Sequence, residues 1–561
     1  MKRTGLLMLF FVSPFFTRAM KGIILYLLFG NASGVFACTN LIVGKKASVD
    51  GSVIVSYSAD SYALFGELYH YPAATHPEGA MRDIYEWDTG KYLGKIEQAP
   101  ETYNVIGNIN EHQVTIGETT FGGRLELTDT LGLIDYGSLI YIALQRSHTA
   151  REAIGVMTDL VQRYGYYSSG ESFSIADPNE VWIMEMIGKG PGVRGAVWVA
   201  VRIPDDCIAA HANQARIHKF DMNDKENCMY APDVISFARE RKYFNGINED
   251  FSFANAYAPL DFGGRRYCEA RVWSFYNMFT DQGNVFLPYI TGESNVPMPL
   301  YLKANRKISV QNIKDAMRDH YEGTPLDISN DFGAGIYKAP YRLSPLSFQV
   351  NDETYFNERP ISTFQTAYVF VSQMRADKPD AIGGVFWFGL DDANMTVYTP
   401  VYCCADKIPT CYSGESTDYI TFSWDSSFWI FNWVSNMVYP RYSLMIEDVR
   451  AVQTNLEDSF NKAQAGIETV AAQLYAQNKE EAKNFLTNYT VMTAQHTYDA
   501  WKRLGEYLIV KYNDNVIKRE KDGKFERNAI GRAMPVIRQG YPEEFLKEYV
   551  KQTGERYKIK E

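Results

Sequence analysis

The feature that most constrains this chain is a cysteine that directly follows a hydrophobic leader and directly precedes two strand-like runs. After Cys38 come Leu41–Val43 and Val53–Tyr57, both apolar and rich in β-branched residues. Asp50-Gly51-Ser52 between them is a turn signal. The pattern predicts two strands and a turn that bring Asp60 back towards Cys38.

Residues 1–37 have the pattern of a signal peptide. Short apolar runs follow basic residues, and Val35-Phe36-Ala37 is typical of a cleavage site. Met20 begins a compact signal peptide by itself and is the predicted natural start. Neither apolar run reaches the ~18–20 residues of a membrane span. The leader predicts an exported bacterial protein, periplasmic or extracellular, whose mature chain begins at or near Cys38.

A lipoprotein leader also ends just before a cysteine, which makes a lipid-anchored binding protein the alternative. Lipoprotein signals favour a small residue two positions before the cysteine, where this chain has Phe36. A polar tether normally follows the lipidated cysteine, whereas Thr39 and Asn40 lead straight into strand-like residues. Both differences favour a cut that leaves Cys38 unmodified.

The composition argues against nucleic acid as a partner and predicts one unpaired cysteine. The net charge of −11 argues against nucleic acid, whose binding relies on basic patches. No stretch is long and apolar enough to predict a membrane span. The seven cysteines are an odd number, so pairing in an exported protein would leave one for a reactive thiol. Cys403, Cys404 and Cys411 are close in sequence, and one small loop-closing disulfide is expected among them.

Hydrophobic periodicity predicts a layered α+β chain. Strand-like runs surround a helix predicted at Leu139–Tyr164, without the regular alternation of a βαβ fold. From Arg441 onward, apolar residues recur at helical spacing. The predicted organisation is a signal peptide at 1–37, a main domain at 38–440, a helical segment packed on it at 441–525, and a charged tail at 526–561.

The sequence lacks the usual catalytic signatures but offers a different one. It has no HExxH and no GxSxG motif, and its eight histidines are not in metal-ligand spacing. A cut after Ala37 would give Cys38 both a thiol and an α-amine. That amine, with an ordinary pKa of about 7.7–8.0, can act as general base for its own thiol. A carboxylate such as Asp60 suits the task of holding the amine, and N–H donors would stabilise the oxyanion.

Several motifs resemble the cysteine dipeptidase family, which is related to secernins and more distantly to bile-salt hydrolases and penicillin V acylase. All of these are N-terminal-nucleophile hydrolases. The resemblance covers most of the chain after residue 37. The motifs that carry it are Cys38-Thr39-Asn40, Asp50-Gly51-Ser52, Gly117-Glu118-Thr119, Phe173-Ser174-Ile175-Ala176-Asp177, Trp198-Val199-Ala200 and His320-Tyr321-Glu322-Gly323-Thr324-Pro325.

The resemblance implies a four-layer αββα sandwich that hydrolyses small peptides and uses neither a cofactor nor a metal. It leaves assembly into a homo-oligomer open. The residues matched are Cys38 as nucleophile, Asp60 as the aspartate holding the nucleophile or its amine, Asn213 in the oxyanion hole, and Arg271 as an active-site arginine. Without the family, Asp60 could equally cap a turn, Asn213 could end a strand, and Arg271 could form a surface ion pair.

Tyr57 departs from the family pattern, because many members have an arginine three residues before the aspartate. A tyrosine cannot supply a positive charge to lower a thiol pKa or bind a substrate carboxylate. Either Arg271 takes that role or the substrate differs. The sequence thus favours an exported cysteine dipeptidase. Hydrolysis of a non-peptide amide, of bile-salt or acyl-homoserine-lactone type, is the second hypothesis.

Overall fold

The strands predicted on either side of Asp50-Gly51-Ser52 form a hairpin near the middle of a larger sheet. The computed structural model describes residues 38–62, 64–343, 345–533 and 536–560. The signal peptide, its cleavage site and the lipoprotein alternative fall on residues outside the described ones. Two antiparallel sheets contain the strands β1 (Thr39–Val43), β2 (Val53–Asp60), β3 (His70–Tyr71), β4 (Val105–Ile106), β5 (Ile109–Asn110), β6 (Thr115–Gly122), β7 (Gly170–Ala176), β8 (Val181–Gly188), β9 (Ala196–Arg202), β10 (Cys207–His211), β11 (Cys228–Tyr230), β12 (Tyr301–Lys303), β13 (Thr366–Met374), β14 (Val385–Leu390) and β15 (Thr399–Tyr402).

The first sheet has the strand order β12-β10-β1-β2-β13-β14-β15. β1 and β2 are buried along their whole length, which explains their nearly continuous apolar runs. In the turn between them, the Asp50 carboxylate accepts hydrogen bonds from the backbone and hydroxyl of Ser52. Gly51 there has a φ of 78°, a conformation that favours glycine. The register pairs Thr39 with Ser58 and so places the start of β1 beside the end of β2.

The second sheet has the order β11-β9-β8-β7-β6-β5-β4-β3 and lies against the first. Asn40 donates from Nδ2 to the carbonyl oxygen of Glu118 at 2.7 Å. The His211 ring bonds the hydroxyls of Thr119 and Ser174, both at 2.7 Å. Gly117 permits this close approach, because a Cβ there would lie 2.4 Å from Asn40 Oδ1. The sheets therefore meet through small and polar side chains around β1 and β6.

The helices of the described residues lie mostly against the two sheets. They are α1 (Tyr136–Leu144), α2 (Ala150–Tyr164), α3 (Val234–Glu240), α4 (Phe253–Tyr257), α5 (Ala270–Phe279), α6 (Leu287–Thr291), α7 (Val310–Ala316), α8 (Asp380–Gly383), α9 (Ser427–Val438), α10 (Tyr442–Gln477), α11 (Lys479–Tyr512) and α12 (Glu543–Thr553). α1 and α2 bury their apolar side chains against the second sheet in one cluster. The α+β prediction is confirmed.

The single helix predicted at Leu139–Tyr164 is wrong, because the chain breaks it in two. Thr149 has extended backbone dihedrals, and its hydroxyl caps the start of α2 by accepting from the N–H of Glu152. Before it, Ser147 donates its hydroxyl to the carbonyl oxygen of Ala143 near the end of α1. Hydroxyl side chains that bond nearby backbone compete with helical hydrogen bonds, and an apolar periodicity does not register this effect.

The two long helices α10 and α11 pack on the first sheet at the end remote from β12. Arg375, which follows β13, forms a two-pronged ion pair with Glu468 of α10 at 2.6 and 2.9 Å. Thr490 of α11 accepts from the backbone N–H of Tyr402 in β15. Asn478 separates the helices and caps α11 through Glu480. The side chains of α12, in the charged tail, are not buried. In the described ranges, no helix combines the length and apolar character needed to cross a bilayer.

The disulfide expected among Cys403, Cys404 and Cys411 is absent, and all seven cysteines, each within the described residues, are free thiols. Cys403 directs its sulfur to the carbonyl oxygen of Asp380, 3.1 Å away. Cys411 lies in a separate short turn and is buried there. Closeness in sequence is not sufficient for a disulfide, because the two sulfurs also need a specific separation and orientation.

Candidate functional site

Cys38 lies at the point where β1, β2 and β6 meet. Its side chain is 3% exposed. The sulfur lies 3.6 Å from Glu118 Oε1 and 3.7 Å from the Tyr57 hydroxyl. The backbone N–H of Asp60 also donates to the sulfur. β2 and β6 thus surround Cys38 with one acid, one phenol and one backbone donor.

The environment of Cys38 favours a neutral thiol. Burial raises the pKa of Cys38 well above its ordinary value, and the nearby carboxylates of Glu118 and Asp60 raise it further. Hydrogen bonds from Asp60 and Tyr57 oppose this shift only in part. A thiol held in this state needs a base to remove its proton when it attacks.

Glu118 is a site residue that the sequence reasoning did not select, although its motif carried part of the family resemblance. The Tyr57 hydroxyl donates to its Oε1 at 2.7 Å. Burial raises the pKa of Glu118 to about 7, despite hydrogen bonds from Tyr57 and Glu171. A lone acid within the otherwise uncharged strand Thr115–Gly122 was the available signal.

Glu118 and Glu171 form a buried acid pair. Their Oε2 atoms are both buried without a hydrogen-bond partner among the described residues, and the two carboxyls act on each other electrostatically. Burial and the charge of Glu118 raise the pKa of Glu171 well above its ordinary value. Two adjacent carboxylates cannot both ionise at low cost, so the pair favours one shared proton.

Asp60 lies beside Cys38 with its carboxylate turned towards other partners. Its Oδ2 accepts from Arg359 at 2.6 Å and its Oδ1 from Thr366 at 2.7 Å. Ser58 donates to Oδ2 from the same strand. These contacts fix the end of β2, which presents the backbone N–H of Asp60 to the sulfur. Arg359 was not among the predicted site residues, because it follows a loop 299 residues after Asp60.

Arg271 reaches Cys38 from α5, on the opposite side from Glu118. Its side chain is buried and its guanidinium is already bonded to backbone and side-chain oxygens, so it is not available to a substrate carboxylate in this arrangement. Burial lowers its pKa to about 10. The guanidinium donates to the carbonyl oxygens of Cys38 (2.6 Å), Tyr267 (2.6 Å) and Ala212 (3.0 Å), and to the side-chain oxygens of Thr39 (2.8 Å) and Asn213 (2.9 Å).

Asn213 is joined to Cys38 through Arg271. It lies just after β10 with a φ of 62°, a left-handed conformation that asparagine tolerates better than most residues. Its Oδ1 accepts from Arg271, so its Nδ2 is fixed as the donor end, and Nδ2 bonds the carbonyl oxygen of Thr120 at 2.8 Å. The structure thus gathers Cys38, Asp60, Asn213 and Arg271 around one strand end.

The described residues also limit other chemistries at this place. No cluster of three or more histidine, cysteine, aspartate or glutamate side chains in the described ranges has the geometry of a metal site. Tyr57 packs its ring against Tyr368 and Phe370, with centroids 5.8 and 5.4 Å away. The groups around the sulfur are therefore acidic and aromatic, a setting suited to proton transfer and to binding a polar substrate.

Comparison with known proteins places the chain among peptidases. Residues 37–455 match the sequence profile of peptidase family C69. A probable dipeptidase of Salmonella dublin is 29% identical over 387 residues, which cover 66% of this chain and 81% of the relative. A probable dipeptidase of Latilactobacillus sakei is 27% identical, covering 82% of this chain and 94% of the relative. Dipeptidase A of Lactobacillus helveticus is 26% identical, covering 67% and 77%.

The family match bears directly on the resemblance seen in the sequence. It extends over most of the chain and includes every strand of both sheets. Cys38, Asp60, Asn213 and Arg271 all lie inside it. The resemblance to cysteine dipeptidases is confirmed, and the chain belongs to peptidase family C69.

Proposed function

We propose that this protein is an exported cysteine dipeptidase, periplasmic or extracellular, whose mature chain begins at Cys38. The observation that carries the proposal is the position of Cys38, with its sulfur 3.6 Å from Glu118 and its carbonyl held by Arg271. The relatives named as dipeptidases support the substrate class. A neutral, buried thiol fits a nucleophile that relies on its own α-amine as the base.

The proposed reaction passes through a thioester. As the Cys38 sulfur bonds to the peptide carbonyl carbon, its proton moves to the α-amine, and the carbonyl oxygen becomes an oxyanion held by Asn213 and backbone N–H groups. The C–N bond then breaks, and the leaving amine takes the proton from the α-amine. Water attacks the thioester, the amine accepts the water proton, and the acid product leaves as the thiol regains a proton.

The fold we propose is the αββα sandwich of N-terminal-nucleophile hydrolases. The support is the pair of stacked antiparallel sheets with helices outside both, and the nucleophile on β1. A strand end is a rigid place for a nucleophile, because the neighbouring strands hold its backbone on both sides. In the proposed enzyme, the cut after Ala37 creates the α-amine of Cys38 that serves as the base. The same cut exposes the start of β1, where Cys38 lies.

The experiment compares the purified mature protein with Cys38→Ala and Cys38→Ser on a panel of dipeptides and conjugated bile salts. We expect dipeptide hydrolysis to fall at least about 10³-fold in both variants. Cys228→Ala is the matched control, since that buried free thiol lies on the edge strand β11, and it should keep full activity. Full activity in Cys38→Ala would refute the nucleophile, and activity on bile salts alone would refute the peptide substrate.

Intact mass and cell fractionation test the mature start and the location. A mass that corresponds to a chain beginning at Cys38, found in the exported fraction, is the expected result. A diacylglyceryl adduct on Cys38 would instead identify a lipid-anchored binding protein, because the amine or sulfur would then be blocked.

A further inference from the structure

Charges near Cys38 are unevenly distributed. Glu118 lies 3.6 Å from the sulfur, and Glu171 and Asp88 act on Glu118 electrostatically. The arginines have partners of their own: Arg359 pairs with Asp60, and Arg271 binds backbone carbonyls. In the described parts of the chain, neither Glu118 nor Glu171 forms an ion pair. The acid pair therefore faces the nucleophile without a matching cation.

An uncompensated acid pair in this position is costly, and a bound cation would relieve the cost. Glu118 is 2% exposed and Glu171 is 1% exposed, so water does little to stabilise their charge. A carboxylate has about four acceptor positions, and the Tyr57 hydroxyl and Cys38 thiol occupy only those on Oε1. A positive group that arrives with the substrate can thus gain a charge-assisted hydrogen bond.

The distance from sulfur to carboxylate matches the dimensions of a peptide N-terminus. The reacting carbonyl carbon approaches a nucleophile to about 3–3.5 Å before bond formation. In a dipeptide, the α-nitrogen lies about 2.5 Å from that carbon, and hence within about 6 Å of the sulfur. Glu118 Oε1 is 3.6 Å from the same sulfur, and the adjacent Oε2 has no hydrogen-bond partner among the described residues, so an ammonium there can lie at an ordinary bond length of about 2.8 Å from Oε2.

We infer that Glu118 is the specificity-determining residue that binds the α-ammonium group of the peptide's first residue. The inference rests on the proposed function and adds the residue that would recognise the free N-terminus of a dipeptide and disfavour N-acylated or deaminated peptides. Tyr57 orients the Glu118 carboxylate through its hydroxyl. Glu171 supplies a shared proton, which leaves one negative charge in the pair for one ammonium group.

The enzyme's own α-amine at residue 38 is the alternative group that could bind the Glu118 carboxylate. That amine would also lie close to Glu118 after the leader is removed. The two assignments differ in what Glu118 recognises, because a contact with the enzyme's amine affects every substrate equally. A contact with the substrate's ammonium affects only substrates that have one.

The test measures binding in the mature Cys38→Ala protein, which cannot turn the peptide over. Calorimetry compares Ala-Phe with propionyl-Phe, which differ only by the amine. We expect Ala-Phe to bind at least about tenfold more tightly, and Glu118→Gln added to this background to bring the ratio close to one. Glu185→Gln is the matched control, an equally buried glutamate that bonds the backbone N–H of Ile217, and it should keep the preference.

Contrary outcomes separate this inference from the proposed function. If Glu118→Gln leaves the ratio of Ala-Phe to propionyl-Phe affinity unchanged, the inference is overturned, even if both ligands bind more weakly. The proposed function would stand in that case, provided that the wild type still cleaves dipeptides. Absence of dipeptide cleavage by the mature wild type would instead refute the proposed function. If Glu118→Gln fails to fold by circular dichroism, Tyr57→Arg serves as the second variant. Its guanidinium would pair with Glu118, and a preference that survived it would equally overturn the inference.

Discussion

At the scale of single residues, the chemistry around Cys38 depends on which side chains carry a proton. The thiol is kept neutral by burial and by two nearby carboxylates. Glu118 has a pKa of about 7, where small changes in its partners decide its charge. Tyr57, at the position where the sequence resemblance leads us to expect an arginine, contributes a hydrogen bond to this acid. It therefore gives Glu118 a phenol as its partner beside the Cys38 sulfur.

The pH dependence of substrate affinity follows from Glu118. Its ionised form is the one that would bind an ammonium, so affinity for Ala-Phe should rise as the pH rises through about 7. It should fall again above about 8, as the peptide amine loses its proton. The Tyr57 hydrogen bond lowers the Glu118 pKa, so Tyr57→Phe should move the acidic limb to higher pH. Calorimetric titration of the Cys38→Ala protein from pH 5.5 to 9 checks this, and an acidic limb that stays in place would contradict it.

At the scale of elements, two segments far apart in sequence hold the strand end. A π-helical turn at Gly264–Glu269 leads into α5, and Arg271 extends from there to the carbonyl of Cys38. The same guanidinium fixes Asn213 at the end of β10. We therefore expect Arg271 to act as a positioning residue, since it contacts the backbone of Cys38 and the side chain of Asn213.

Arg271→Lys should separate positioning from binding. A lysine has three donors, so some of the acceptors now bonded by the guanidinium would be left buried and unpaired, at about 1–3 kcal/mol of unfolding free energy each. We expect kcat to fall about 10–100-fold while KM for a dipeptide changes little, because the strand end shifts slightly. Steady-state kinetics and urea unfolding measure both effects. Arg265→Lys, which bonds a distant loop, is the control. A rise in KM with unchanged kcat would contradict the positioning role.

At the scale of the whole molecule, the C-terminal helices complete the core. α10 and α11 cover one end of the first sheet and bury polar contacts as well as apolar ones. The ion pair between Arg375 and Glu468 lies in this contact, with both side chains 6% exposed. Arg318 and Glu457 form a second buried pair between the region after α7 and α10. The helices and the sheet are therefore expected to unfold together.

Glu468→Gln tests this coupling. Removing one partner leaves Arg375 buried without its counter-charge, which should cost about 3–5 kcal/mol of unfolding free energy. Asp458→Asn on the same helix removes an exposed pair with Lys462 and should cost less than about 1 kcal/mol. Urea unfolding followed by fluorescence of the buried tryptophans measures both variants. Equal stability of the two would show that the helices contribute little to the main fold.

Much of the fold was predictable from local patterns. The strands of the hairpin and those near residues 115, 173, 181 and 197 fall where their apolar and β-branched runs indicate. The break between α1 and α2 was not predictable from apolar periodicity, because hydroxyl groups at residues 147 and 149 compete for backbone bonds. The expected disulfide was also not predictable from spacing, since Cys403 bonds the Asp380 carbonyl and the Cys411 thiol interacts with the Ser427 side chain.

The sequence by itself determined the family, the α+β class and the choice of Cys38, because a leader followed by a cysteine and a strand is a local pattern. Only the tertiary structure decided what surrounds the sulfur. Glu118, Arg359 and Arg271 come from segments 80 to 321 residues away from Cys38, and no local spacing predicts their meeting. Their roles depend on burial and on which charge lies nearest, and both arise only when the two sheets and α5 pack together.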